Sequence, residues 1–378
     1  MIAVMADDFT GAAELAGISL RYGLKVALFA DEPAATDAEV VIVSTNSRSL
    51  NKAAALQKTE HILRQLIQSN PSFIYKKIDS VLRGYVLDEL KLQVQLMQNT
   101  KAFILPANPS LGRTISNGIY YVEGKPIGET GFATDPEFPV SNSVVKSILK
   151  DDGIKVLKPK EALPENGIIV GEAENETDVQ AWAEKLDETF VLAGAGDFYT
   201  ALLNKQNQQV QQKAWQIAGN LLYVSGTAYD RSVNDIAQAH KQGQPVVYIT
   251  REMIETSTIT TEWLTQFTTL MQPKKKAILA FNPDQIPAQA SAVHLRNIMA
   301  KAVKAVLKQH PINEMFIEGG ATATAILNEL NINHLTPINE LKRGVVRMKI
   351  NQTYITVKPG SYELPIELKE QFGSSYAH

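Results

Sequence analysis

The sequence contains no cysteine, and this absence excludes disulfide bonds, a thiolate nucleophile and cysteine-ligated zinc. Histidine is scarce: the six histidines are not paired at metal-ligand spacing, which argues against a structural transition-metal site. No apolar run is long enough to span a membrane, and no basic stretch precedes the first apolar segment as in a signal peptide. The predicted location is therefore the cytoplasm.

An excess of positive charge is also missing. The chain has 37 basic and 40 acidic residues and a formal net charge of −3, so no nucleic-acid surface is indicated. Its composition, 44% hydrophobic and 20% charged, is that of an ordinary soluble globular protein. With 378 residues the chain is too long for one ordinary core, and two domains are expected.

Two familiar phosphate-binding motifs are absent as well. Gly-x-x-x-x-Gly-Lys-Ser/Thr occurs nowhere, and neither does the glycine-rich loop of protein kinases. Gly194 and Gly196 form a lone Gly-x-Gly pair, which is more typical of a tight turn between a strand and a helix than of a nucleotide site.

The first seventeen residues combine a buried strand with charge. The apolar run Ile2–Ala6 is followed by Asp7 and Asp8 and then by good helix formers. Charges directly after a strand lie at the carboxyl edge of a parallel sheet, where open α/β proteins bind ligands. Thr10 and Gly11 are expected to leave backbone N–H groups free for an anion at the helix start. The alternative is that both aspartates are only turn and cap residues.

Polar clusters follow further strands of the first half, which reads as repeated strand–loop–helix units. The strand Val40–Ser44 leads into a loop with Arg48, and the strand Phe73–Tyr75 leads into the polar run 76–84. Because guanidinium binds carboxylate through two parallel hydrogen bonds, Arg48 and Arg83 predict a site for a carboxylate-bearing substrate. Lys76 and Lys77 add positive potential, although a solvated turn with Lys76 paired to Asp79 is the favoured interpretation of Lys76.

The glutamine-rich run 206–213 has almost nothing to bury and predicts a linker, with one domain over residues 1–208 and another over 209–378. Three small-residue turns follow predicted strands of the second half. Glycines let backbone N–H groups approach phosphate oxygens, so the three turns predict one polyphosphate site. The alternative is three turns that only pack closely. The residues concerned are Ser225, Gly226, Thr227, Gly319, Gly320, Ala321, Thr322, Lys358 and Gly360.

Several motifs together resemble those of the four-carbon acid sugar kinase family. Ala6-Asp7-Asp8-Phe9-Thr10-Gly11-Ala12 is similar to its opening motif, and residues 76–84 resemble its Lys-Lys-x-Asp-Ser-x-Leu-Arg-Gly motif. Residues 106–126 resemble its proline-rich loop and hairpin, and residues 132–140 its Phe-x-x-Asp-Pro-x-x-Pro-Val pattern. The resemblance spans both halves of the chain.

Members of this family use ATP to phosphorylate tetronic acids, such as threonate, erythronate or 3-oxo-tetronate, at the terminal hydroxyl. The resemblance implies two α/β domains, each a mainly parallel sheet flanked by helices: a sugar-acid domain followed by a nucleotide domain. The active site would lie in the cleft between them. A small sugar acid is the implied partner, without nucleic acid or membrane, and ATP with Mg²⁺ the implied cofactor. The metal ligands are not identified, and a homo-oligomer is left open.

The resemblance also implies roles for single residues. Asp8 would orient hydroxyls and act as base with support from Asp7, while Arg48 and Arg83 would bind the carboxylate. The implied catalytic residues are Asp8, Asp7 and Arg83. The implied substrate-binding residues are Asp8, Arg48, Lys77, Asp79, Ser80 and Arg83. The three turns of the second half would clamp the phosphates.

The nucleotide half departs from the family pattern at two places. Ala321 replaces the acid of Gly-Gly-Asp-Thr-Ala, which removes a group that would contact a metal or the ribose, and Ser361-Tyr362 replaces Gly-Phe in the last loop. Two other functions therefore stay open. One is a non-kinase enzyme, such as a phosphatase or an aldolase, acting on a phosphorylated acid. The other is a sensor that binds a sugar acid without turnover.

Overall fold

The computed structural model describes residues 1–135, 138–205, 207–211, 214–227, 229–360 and 362–372. The chain forms two compact units, Met1–Gln211 and Gln212–His378. The domain boundary at residues 208 and 209 stays a prediction, and Gln206, Gln212 and Lys213 of the expected linker lie outside the described residues, as do Pro136 and Ser361.

The first unit alternates short buried strands with helices. Its strands are β1 (Ile2–Ala6), β2 (Val26–Phe29), β3 (Val40–Ser44), β4 (Ile74–Lys77), β5 (Lys101–Leu105), β6 (Arg113–Ser116), β7 (Ile119–Val122), β8 (Lys125–Pro126), β9 (Lys155–Leu157), β10 (Gly167–Gly171) and β11 (Val191–Gly194). Its helices are α1 (Phe9–Arg21), α2 (Lys52–Gln68), α3 (Val86–Leu96), α4 (Val145–Leu149), α5 (Glu176–Lys185) and α6 (Gly196–Asn204).

The main sheet of this unit is parallel, with the strand order β2-β3-β1-β4-β11-β5-β10-β9. The β1–α1–β2 crossover runs in one direction along the sheet, and β3–α2–β4 and β4–α3–β5 run in the other. Right-handed crossovers therefore place α1 on one face and α2 and α3 on the opposite face. The adjacent strands β1 and β4 form the switch point at which such sheets bind ligands.

A small antiparallel sheet, β6-β7-β8, follows β5. The turn predicted at Glu123 and Gly124 connects β7 to β8, and Glu123 and Gly124 both have positive φ. The preceding turn at Asn117 and Gly118 connects β6 to β7. This hairpin brings Arg113, the first residue of β6, next to the loop after β4.

The second unit has its own sheet with parallel and antiparallel parts. Its strands are β12 (Leu221–Ser225), β13 (Val246–Ile249), β14 (Lys276–Phe281), β15 (Glu314–Glu318), β16 (His334–Lys342), β17 (Val345–Ile350) and β18 (Thr353–Lys358). Its helices are α7 (Asp230–Lys241), α8 (Arg251–Thr256), α9 (Thr261–Met271), α10 (Ala292–Gln309), α11 (Gly320–Glu329) and α12 (Ile366–Phe372).

Strand order places the three predicted phosphate turns side by side in this unit. The order is β13-β14-β12-β15-β18-β17-β16, with β12, β13, β14, β15 and β18 parallel and β17 antiparallel to both neighbours. Because β12, β15 and β18 are neighbours, the turns that follow them meet at one edge. The core beneath includes Tyr223, Phe316 and Phe372, with the ring centroids of Tyr223 and Phe316 5.8 Å apart.

The predicted fold class, two α/β domains with mainly parallel sheets flanked by helices, is confirmed. The Asp8 side chain caps the start of α1, and the Ser291 side chain caps the start of α10. Helix α11 starts at Gly320, directly after the turn that follows β15. No helix in the described ranges is long and apolar enough to cross a membrane.

Candidate functional site

Arg48 joins the ends of β1 and β4 at the switch point of the first unit. Its Nε lies 3.3 Å from Asp7 Oδ2, its Nη2 2.5 Å from Asp8 Oδ2 and its Nη1 2.8 Å from Asp79 Oδ1. Its side chain is only 13% exposed. Burial disfavours its charge, but these carboxylates more than compensate and raise the pKa of Arg48 well above its usual value. The guanidinium is thus held by three acids of the protein itself.

Arg83 is held by two carboxylates, those of Asp79 and Asp135. Its Nε and Nη2 bind Asp79 Oδ2 and Oδ1 at 3.0 and 2.9 Å, and its Nη1 binds Asp135 Oδ2 at 2.7 Å. The Arg83 backbone N–H also donates to Asp79 Oδ2 at 3.1 Å. Burial opposes the charge of Asp79, but Arg48 and Arg83 hold the pKa of Asp79 well below its usual value. The structure therefore brings Asp7, Asp8, Arg48, Asp79 and Arg83 into one group, here called the carboxylate–arginine cluster.

Asp8 is both a helix cap and a member of this cluster. Its Oδ1 accepts a hydrogen bond from the Gly11 backbone N–H at 2.9 Å, and its Oδ2 accepts one from Thr10 Oγ1 at 2.6 Å. The expectation that the Gly11 N–H stays free for an anion was therefore wrong, since the cap occupies it. Burial opposes the negative charge of Asp8, but Arg48 and Lys77 hold the pKa of Asp8 below its usual value. Its side chain is 26% exposed, so an ionised carboxylate remains accessible.

Asp7 has the opposite electrostatic character. It is buried, and its Oδ1 has no hydrogen-bond partner in the described parts of the chain. Burial, with the charge of Asp8, raises the pKa of Asp7 to about 6, while Arg48 and the two neighbouring lysines oppose that rise. Asp7 is thus an acid whose charge is costly to maintain, and its supporting role for Asp8 stays a prediction.

The two lysines of β4 point to opposite faces of the sheet, because consecutive strand residues alternate. Lys76 lies 2.5 Å from Glu89 Oε2 on α3, and both side chains are buried. The interpretation of Lys76 as a solvated residue paired with Asp79 was therefore wrong. Lys77 donates to the Ile78 carbonyl at 2.8 Å and lies 3.5 Å from Glu14 Oε2 on α1.

Ser80 lies where the loop after β4 meets the hairpin. Tyr120 Oη donates to the Ser80 carbonyl at 2.5 Å, and Arg113 Nη1 donates to Ser80 Oγ. The guanidinium groups of Arg83 and Arg113 lie 5.5 and 5.9 Å from the centre of the Phe132 ring. Sequence reasoning assigned no role to Arg113, although an arginine beyond the end of a central strand was the signal that could have found it.

The turns of the second unit contact one another through their backbones. The Gly226 N–H donates to the Glu318 carbonyl at 3.2 Å, and the Gly319 N–H donates to the Lys358 carbonyl at 2.9 Å. A Cβ added to Gly226 would lie 2.0 Å from Thr322 Oγ1, and one added to Gly360 would lie 2.8 Å from Thr227 Oγ1. Glycine is required here because the turns pack too closely for a side chain.

Helix α11 starts inside this group of turns. Gly319 has φ 104°, a conformation that favours glycine, and it links β15 directly to the helix. The N–H groups of the first three helical residues, Gly320, Ala321 and Thr322, have no acceptor within a helix. Ala321 is exposed at this end, so its small side chain leaves the N–H groups accessible. Such a helix start binds anions, and phosphate in particular.

Glu318 connects all three turns from below. Its carboxylate contacts Lys358 Nζ at 2.7 Å and accepts hydrogen bonds from Tyr223, Ser225 and Ser232 at 2.5, 3.2 and 2.7 Å. Lys358 Nζ also donates to the carbonyls of the last turn. These contacts favour a positioning role for Lys358, and its assignment to phosphate binding stays a prediction. Glu318 was missed because the sequence shows it only as the residue before two glycines.

Comparison with known proteins identifies a domain family for each half of the chain. Residues 2–202 match the family of sugar-binding N-terminal domains, and residues 199–362 match that of nucleotide-binding C-terminal domains. The chain belongs to the four-carbon acid sugar kinase family. Within this family the carboxylate–arginine cluster lies in the sugar-binding domain, and the turns around Glu318 lie in the nucleotide-binding domain.

Individual relatives agree with the family match. The chain is 25% identical over 370 residues to a D-threonate kinase of Bordetella bronchiseptica, covering 91% of this chain and 88% of the relative. It is 31% identical over 156 residues to a 3-oxo-tetronate kinase of Brucella melitensis, covering 39% and 36%. A solved structure of a Haemophilus influenzae protein superposes with a TM-score of 0.77 at 17% identity over 98% of both chains, which shows the fold alone.

The buried charge of Asp7 predicts a pH-dependent stability. The folded pKa of about 6 lies above the ordinary value of 3.8, so the folded chain binds the proton more tightly and loses stability as the pH rises between these values. Asp7→Asn removes this loss. We expect the variant to gain on the order of 1–3 kcal/mol over wild type between pH 4 and pH 7, measured by thermal unfolding at a series of pH values.

Asp37→Asn is the matched control, because Asp37 is exposed and its hydrogen bond to Lys25 lowers its pKa instead. That variant should show no gain at neutral pH. A difference between Asp7→Asn and wild type that does not change with pH would contradict the buried-charge description of Asp7.

The close packing of the turns predicts a selective loss of nucleotide binding. Gly226→Ala places a methyl group against Thr322 and should displace the turn after β12 from α11. We expect roughly 10- to 100-fold weaker ADP binding by calorimetry, because misplaced N–H groups lose hydrogen bonds to phosphate. Gly243→Ala is the control: it has φ +74° and open space around it, so it costs stability without touching the turns. Equal ADP affinity of the two variants would contradict the assignment.

Proposed function

We propose that this protein is an ATP-dependent kinase that phosphorylates the terminal hydroxyl of a four-carbon sugar acid: threonate, erythronate or 3-oxo-tetronate. The observation that carries the proposal is the pairing, in one chain, of a charged cluster at the switch point of one sheet with a phosphate-type group of turns at the edge of another. Relatives named D-threonate kinase and 3-oxo-tetronate kinase support this choice of substrate class.

Phosphoryl transfer requires positioning and charge neutralisation more than covalent help from the protein. Asp8 is the group that would accept a hydrogen bond from the reacting hydroxyl, because its carboxylate is ionised, fixed by Thr10 and Gly11, and partly exposed. The lowered pKa of Asp8 favours orienting the hydroxyl over storing its proton. Asp7 would support it through their shared partner Arg48.

The remaining predicted substrate ligands have distinct surroundings. Arg83, which is also a predicted catalytic residue, uses three of its five N–H groups on Asp79 and Asp135, so two remain for a substrate. Arg48 is more deeply buried and mainly fixes Asp8. Lys77 and Ser80 follow at the same strand end and complete the proposed pocket for the acid.

In the second unit, the N–H groups at the start of α11 and the hydroxyl of Thr227 are the proposed phosphate ligands. The donor set fits phosphate better than a metal ion: residues 319–322 contain no carboxylate, and Glu318 is engaged by Lys358 and three hydroxyls. The described residues also contain no cluster of three or more acids, histidines or cysteines placed to hold a metal ion. Mg²⁺ is therefore proposed only as the ion that accompanies ATP.

The cytoplasm as the location and a small sugar acid as the partner stay predictions. Whether the protein forms a homo-oligomer is not predicted. A sugar-acid sensor is the main alternative function, because Ala321 stands where the family pattern has an acid.

The direct test measures ADP formation from ATP with a panel of four-carbon acids, and confirms the phosphorylated product by phosphorus NMR. We expect turnover with at least one of the three acids. Binding of an acid without ADP formation would contradict the kinase and favour the sensor.

Asp8→Asn tests the proposed role of Asp8 in this reaction. Asparagine caps a helix about as well as aspartate, so α1 should be retained and the melting temperature should change little. Loss of the carboxylate should lower kcat by roughly 10²-fold or more, while calorimetry still detects binding of the acid. Wild-type turnover in this variant would leave Asp8 as a cap residue only.

A further inference from the structure

The three arginines at the carboxyl edge of the first sheet differ in what neutralises them. Arg48 contacts three carboxylates, and Arg83 contacts two. For Arg113, the described residues provide no carboxylate within ion-pair distance, and its side chain makes one hydrogen bond, to Ser80 Oγ. Arg113 is thus a guanidinium at this edge whose charge no described carboxylate balances.

The surroundings of Arg113 hold it in place without consuming its charge. Its backbone N–H donates to the Asn108 carbonyl at 3.2 Å, and its own carbonyl accepts from the Asn108 N–H at 2.7 Å. Its guanidinium packs 5.9 Å from the centre of the Phe132 ring. Contact with an aromatic face fixes the plane of a guanidinium and leaves its edge N–H groups available.

Ser80 adds a second donor at the same point. Its Oγ accepts the hydrogen bond from Arg113, so its own hydroxyl proton is available to another acceptor. The described residues offer no acceptor for that proton, although Ser80 is buried. The Tyr120 hydroxyl holds the Ser80 carbonyl at 2.5 Å and so fixes the residue. Two adjacent donors, one of them charged, match a carboxylate.

We propose that Arg113 and the Ser80 hydroxyl bind the carboxylate of the substrate, and that Arg48 and Arg83 mainly hold the protein's own acids in place. The proposal rests on the proposed function for the identity of the ligand. A substrate carboxylate at Arg48 would become the fourth carboxylate around one guanidinium, and it would be repelled by the three already there. At Arg113 it would be the first carboxylate. Arg113 would then select acids over the corresponding neutral polyols.

The test compares Arg113→Gln with wild type on a four-carbon acid and on the tetritol that has the same hydroxyls without the carboxylate. We expect kcat/KM for the acid to fall roughly 30- to 1000-fold, mainly through KM, with the KM for ATP unchanged. Turnover of the tetritol should change little, so the preference for the acid should collapse. If Arg113 only braced Ser80, both substrates would lose activity together, and that result would overturn the proposal.

Two further variants provide a control and an independent test of the proposal. Arg64→Gln is the matched control, because Arg64 is exposed on α2 and pairs only with Glu60 among the described acids. It should behave as wild type. Ser80→Ala, which removes one neutral donor, should weaken acid binding by about tenfold, less than Arg113→Gln. It also serves if Arg113→Gln fails to fold, and unchanged acid affinity in Ser80→Ala would then overturn the proposal.

Failure of this inference can be told apart from failure of the proposed function. If wild type forms no ADP with any acid, the kinase proposal fails, yet calorimetry of the acid alone still tests Arg113, since binding needs no phosphoryl transfer. Undiminished acid binding by Arg113→Gln would overturn the inference. If wild type turns over the acid and Arg113→Gln keeps the same preference for it, only the inference fails.

Discussion

The contact of one guanidinium with three carboxylates is the interaction on which the first unit's site depends. Asp7 and Asp8 follow β1, and Asp79 follows β4, so the switch point of the sheet brings three acids together. Without Arg48 these acids would repel one another in a poorly solvated place. With it, Asp8 and Asp79 stay ionised, and the more deeply buried Asp7 carries the electrostatic cost as a raised pKa.

Under the proposed function both units bind an anion, but by different physical means. The first would use side-chain charges, several of which cancel one another and leave Arg113 without a described acid. The second would use backbone N–H groups at a helix start, with glycines that allow the turns to approach each other. Its charged pair, Glu318 and Lys358, is buried beneath the turns and fixes them. The proposal thus assigns a carboxylate to guanidinium groups and a polyphosphate to backbone N–H groups.

Much of this arrangement could be predicted from the sequence, because parallel strands bring the residues after them to one edge. Asp8, Arg48 and Arg83 were placed together on that ground, as were the three turns of the second unit. The choice of partners could not be predicted. Lys76 and Lys77 are neighbours in sequence, yet one binds Glu89 on α3 and the other approaches Glu14 on α1, because their strand lies between two helix layers. Only the folded structure shows which lysine and arginine side chains are paired with acids of the same protein.

The coupling between Arg48 and Asp79 is the measurement that tests this account most directly. Replacing Trp215 and Trp263 with phenylalanine leaves Trp182, buried in the first unit, as the fluorescence reporter of its unfolding. A double-mutant cycle with Arg48→Met and Asp79→Asn should then give a coupling free energy of about 1.5–3 kcal/mol. The exposed pair Lys52 and Asp88 should give at most about 1 kcal/mol in the same background. Additive effects of Arg48→Met and Asp79→Asn, within about 0.5 kcal/mol, would contradict a site organised by this guanidinium.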